Sequence, residues 1–111
     1  MALRAPASLS ASSKRLWRRI TDDYELAGEP HALELLRMAL EQVDRAEEAR
    51  QTVAREGAYF SDRFGQPKAH PAIAVERDAK TLAARLLREL GLAPEEADDQ
   101  RPPRTSLRAV P

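Results

Sequence analysis

The sequence contains no cysteine, which excludes disulfides and thiolate metal sites. Aromatic residues are scarce: one Trp, two Tyr and two Phe in 111 residues. A core must therefore rest on Leu, Ala and Val, which favours helix packed on helix over a sheet sandwich. No stretch approaches the roughly 18 consecutive apolar residues of a membrane span. The opening residues MALRAPASLSASSKR carry positive charge but no apolar segment of the secretory-signal kind, so a cytoplasmic protein is expected.

Catalytic constellations are missing as well. The four glycines, Gly28, Gly57, Gly65 and Gly91, are isolated and form no phosphate-cradling loop. The two histidines, His31 and His70, stand one at each of two helix entrances, without the further ligands a zinc site needs. The carboxylate pairs Asp22-Asp23, Glu47-Glu48, Glu95-Glu96 and Asp98-Asp99 fall on polar helix faces or in the tail. No serine stands in a nucleophile-elbow context. Neither an enzyme nor a cofactor or metal is expected.

What is present is helical periodicity and an uneven distribution of charge. The expected fold is mostly all-α: a three-helix protomer with a short β-hairpin or ordered loop between the second and third helices, and disordered termini. The first helix is expected from Ser12 or Ser13, either able to cap it, to about Tyr24, with Leu16, Trp17 and Ile20 on one face. Trp17 reads as a core anchor. Gly28 and Pro30 interrupt, and Pro30 suits the first turn of a second helix over about 30–56. That helix carries Leu33, Leu36, Leu40 and Val43 as its stripe, widened by Ala39, Ala46 and Val53. Glu47 and Arg50 then take heptad core positions, which speaks against a continuous coiled coil. Gly57 is expected to close the helix as a left-handed cap.

The segment GAYFSDRFGQPKAHP reads as a hairpin or ordered loop whose aromatics pack onto a helix. A third helix over about 71–90 follows, with Val75, Ala79, Leu82, Leu86 and Leu90 facing the core. It ends at Gly91-Leu92 with Leu92 folding back, and Pro94 opens one further turn. The expected organisation is a disordered basic arm over 1–11, one helical domain over 12–97 and a disordered tail over 98–111.

Net charge is zero, which argues against binding nucleic acid by bulk charge. Its distribution points the other way. Residues 1–19 hold five bases, Arg4, Lys14, Arg15, Arg18 and Arg19, and no acid, whereas residues 20–60 hold ten acids against four arginines. Basic arms and short basic helices make ready phosphate contacts.

Two stretches, in order, carry a resemblance. GAYFSDRFGQPKAHPAIAVERDA, with its glycine, hairpin and G-x-x-K-x-H-P-A pattern, is followed by RLLRELGLAPEE with an LGL-x-P ending. Upstream lie the Trp-bearing helix SSKRLWRRITDDYEL and the long helix HALELLRMALEQVDRAEEARQTVAREG. Over about residues 12–97 this order resembles the phage terminase small subunit family. The resemblance implies a protein without catalytic residues that binds double-stranded viral DNA in the bacterial host cytoplasm. It also implies assembly as a homo-oligomeric ring and recruitment of the large terminase subunit, an ATPase and nuclease. The disordered tail after Pro94 is the candidate contact for that subunit.

Charge, not a family motif, nominates the DNA-contact residues: Arg4, Lys14, Arg15, Arg18 and Arg19, with Arg63 and Lys68 on the hairpin as a second set. The second and third helices are expected to form the protomer core and subunit interfaces. Two alternatives stay open. One is a small helical DNA-binding regulator or antitoxin acting as a dimer, although the acidic second helix is a poor major-groove reader. The other is a protein adaptor without a DNA role.

Overall fold

The computed structural model describes residues 3–91. Five elements follow one another: α1 (Ala11–Asp23), α2 (Pro30–Glu56), β1 (Tyr59–Ser61), β2 (Pro67–Ala69) and α3 (Pro71–Glu89). Three helices with a two-stranded antiparallel hairpin between the second and third match the expected fold class.

Pro30 and Pro71 each occupy the first turn of a helix, where a missing N–H costs nothing. α2 and α3 run antiparallel. His70 at the start of α3 meets Glu56 at the end of α2, while Leu90 shares a core cluster with Leu36 and Leu40. The seam between them is largely alanine, with Ala39, Ala46 and Ala49 buried on α2 and Ala79 and Ala83 on α3. Side chains this small let two helices pack closely along their length. The inner positions past Val43 thus go to Ala46 and Ala49, while Glu47 and Arg50 lie outside and pair with each other.

Two expected core positions, Val75 and Leu82, lie on the outer side of α3. Gly57 has a positive φ of 95° as expected of a glycine stop, but its ψ of 153° sends the chain out extended into β1. The left-handed helical cap expected there is replaced by an exit into the hairpin. Gly91, at φ 75°, does close α3. Leu92, the turn at Pro94 and the tail lie outside the described residues.

α1 departs from expectation at its start. Its cap is Ser10, whose Oγ accepts from the Ser13 N–H at 3.2 Å, and not Ser12 or Ser13. Asp44 of α2 selects it. Its carboxylate accepts from Ser10 N–H at 2.8 Å, from Ser10 Oγ at 2.6 Å and from the buried Ser13 Oγ at 2.5 Å. Below this anchor Trp17, only 5% exposed, packs among Leu9, Leu26, Ala32, Leu36, Leu40 and Leu90. The segment ahead of α1, expected as a disordered arm, also joins this core: Leu9 is buried, and Leu3 and Ala5 pack against the cluster. Apolar burial explains its placement.

The junction of α2, hairpin and α3 is held by His70. Its backbone N–H donates to Ala58 O at 2.7 Å. Its Nδ1 accepts from the Ala72 N–H at 3.0 Å, capping α3. The ring proton therefore sits on Nε2, 3.2 Å from Glu56 Oε1, to which it donates. That bond, with a second from Arg55, holds the Glu56 carboxyl below the ordinary glutamate value.

Partial burial pushes the Asp44 carboxyl up, but the hydrogen bonds from Ser10 and Ser13 outweigh it and the net shift is downward. A native value below the unfolded one means stabilisation that is complete above about pH 4 and fades as pH falls through the lower native value. α1 should accordingly detach under acid conditions, read as a red shift of Trp17 emission. Asp44→Ala should weaken folding by about 1–3 kcal/mol in denaturant titrations at neutral pH. His70→Ala should cost about 1 kcal/mol and speed amide exchange at Ala72.

Candidate nucleic-acid interface

The basic residues of α1 divide by helical spacing. Ser13, Trp17 and Ile20 face the core, whereas Leu16, expected on that face, is exposed. Lys14 and Arg18, one turn apart, flank them on one side, and Arg15 and Arg19 continue the outer surface. Thr21 Oγ1 donates to Trp17 O at 2.8 Å on the inner side of the same turn.

A longer-range bond brings in Arg4. The Trp17 indole Nε1–H donates to Leu3 O at 3.1 Å, fixing the preceding segment alongside α1. An open groove results, lined by Leu3, Arg4, Ala5, Ala7, Lys14 and Arg18. Among the described residues Arg4, Lys14, Arg15 and Arg18 make no ion pair, whereas Arg19 is bridged to Asp23 at 3.2 Å. Three of the five N-terminal candidates therefore border one groove, Arg15 projects beside it, and Arg19 is partly neutralised by its own helix.

The acidity of α2 is also tempered locally. Arg37 bridges Glu34 and Glu41, and Arg50 binds Glu47, whose carboxyl it pulls down to about 2. The Arg37–Glu41 pair is half-buried and the others are more exposed, and such surface pairs add little stability.

Arg63 and Lys68 lie elsewhere. The hairpin leaves α2 at Glu56, about 18 Å beyond Asp44 at the helical rise per residue. Its register pairs Tyr59 with Ala69, Phe60 with Lys68 and Ser61 with Pro67. Arg63 lies over the Phe64 ring, 4.9 Å from its centroid. The two basic sets are thus not brought together in one protomer. The aromatics do not pack onto a helix as expected either: Tyr59 is 71%, Phe60 47% and Phe64 74% exposed.

The sequence reading missed the anchoring of residues 3–10, although Leu3 and Leu9 among small residues were a visible signal. No spacing rule would have found Asp44. Among the described residues no group of three or more His, Cys, Asp or Glu could hold a metal ion, and no helix is long and apolar enough to cross a membrane.

No curated protein and no solved structure matches the chain. The sequence profile described as phage terminase, small subunit, matches residues 13–105, from within α1 through α2, the hairpin and α3 and beyond the described residues. That span covers most of the 111 residues, and the chain belongs to the phage terminase small subunit family.

Proposed function

We propose that this chain serves phage genome packaging by binding double-stranded viral DNA and recruiting and regulating the large terminase subunit. The observation that carries the DNA role is the groove where Arg4, Lys14 and Arg18 converge without a carboxylate partner among the described residues. Arg15 adds a further cation and Arg19 a partly neutralised one. Such a patch suits phosphates, which position a duplex without reading its sequence. Arg63 and Lys68 form a second, separate phosphate contact.

A few cations on one protomer bind weakly, and a homo-oligomeric ring multiplies them. Met38 on α2 and Val75 and Leu82 on α3 are exposed apolar side chains that support burial against further copies of the chain. The working place is the host cytoplasm, and the chain acts through contacts, not catalysis. The tail after Pro94 is the contact proposed for the large subunit.

Arg15→Gln and Arg18→Gln should each reduce the slope of log affinity against log salt by about one per DNA-contacting subunit. An unchanged slope in anisotropy titrations removes the α1 assignment. Mass measurement in solution should give a ring of many copies; a dimer favours the regulator reading instead. Addition of the protein should alter the large subunit's ATPase rate, and no effect counts against the packaging role.

A further inference from the structure

The hairpin has a composition that phosphate contacts alone do not use. Phe64 stands at its turn and Tyr59 and Phe60 on β1, all exposed, with Arg63 stacked on Phe64 and Lys68 opposite Phe60. Large aromatics left in water cost free energy, and a two-fold pairing of hairpins is disfavoured because it places Arg63 and Lys68 near their own kind, whereas both cations suit a phosphate-bearing ligand.

The ribbon is also tied by hydrogen bonds at its turn and its base. Asp62 is the only carboxylate between Gly57 and Ala69. It is turned inward on the backbone: Oδ1 accepts from Phe64 N–H at 2.8 Å and Gln66 N–H at 3.0 Å. The Asp62 N–H donates to Gln66 O at 2.9 Å and the Gly65 N–H to Asp62 O at 2.9 Å, with Gly65 at φ 78°. His70 clamps the base of the ribbon to the end of α2.

We infer that this hairpin enters a groove of duplex DNA and places the Phe64 ring against the bases, with Arg63 and Lys68 on the flanking phosphates. A two-stranded β-ribbon fits the major groove, and exposed apolar side chains at the tip of a basic element can wedge between base steps in the minor groove. In either groove the ligand chemistry is a base face bordered by phosphates. Tyr59 and Phe60 extend the aromatic surface behind the tip. The inference rests on the proposed DNA role but concerns residues remote from the α1 groove, and it adds a contact that salt does not screen.

The test uses the full chain and a duplex carrying 2-aminopurine. Phe64→Ala should lower affinity about tenfold at fixed salt, the scale of losing one aromatic–base contact, and leave the salt slope unchanged. It should abolish the 2-aminopurine emission change on binding, and Phe64→Trp should restore both. Arg63→Ala and Lys68→Ala should each reduce the salt slope by about one per contacting subunit. Circular dichroism confirms that each variant folds.

Wild-type affinity for Phe64→Ala, or a silent 2-aminopurine signal, overturns the inference. So does a change in the mass of the DNA-free protein with DNA affinity retained, which makes the hairpin a subunit contact. Loss of the Arg15 and Arg18 effects with the Phe64 effect intact refutes only the α1 assignment, and loss of all of them refutes the DNA role altogether.

Discussion

The arrangement of this protein depends on one carboxylate. Asp44, midway along the longest helix, accepts three hydrogen bonds from Ser10 and Ser13, and thereby decides where α1 begins and which of its faces turns inward. A short helix of 13 residues is marginal alone in water. Docking supplies what its propensity lacks: Trp17 and Ile20 are set against the core, and the charged side is left to solvent. Rotating α1 about its axis would break the carboxylate contacts and expose the indole, so both kinds of interaction select the same orientation.

From that orientation the charge pattern follows. The indole N–H needs an acceptor when buried and finds it in the Leu3 carbonyl, which ties the preceding segment to the helix. Arg4 is thereby placed near Lys14 and Arg18. A packing requirement of the only tryptophan thus assembles cations fourteen residues apart in the chain. The family profile matches from residue 13, so Arg4 and the capping Ser10 lie outside the matched span.

The other end of the molecule obeys a different rule. The distal halves of α2 and α3 meet through alanines, which allow close approach but bury little apolar area per residue. Among the described residues no third helix covers them there, because α1 docks nearer the start of α2 and the end of α3. Beyond them the hairpin is held by backbone bonds and the His70 clamp, and its aromatics stay exposed. Order here comes from hydrogen bonding, not from a core.

The sequence by itself determined the three helices, their prolines at Pro30 and Pro71, the glycine stops and the hairpin between the last two, because these are set by residues within a few positions of one another. It also determined that Trp17 is a core anchor and that residues 1–19 hold five bases and no acid. Only the tertiary structure decided that Ser10 caps α1, since its selector lies 34 residues away on another helix. Only it decided that residues 3–10 pack, that Arg4 joins Lys14 and Arg18, and that Val75, Leu82 and the hairpin aromatics face outward. An apolar residue at helical or strand spacing is equally suited to either side of its element. What lies across from it settles the matter, and that depends on contacts between distant parts of the chain.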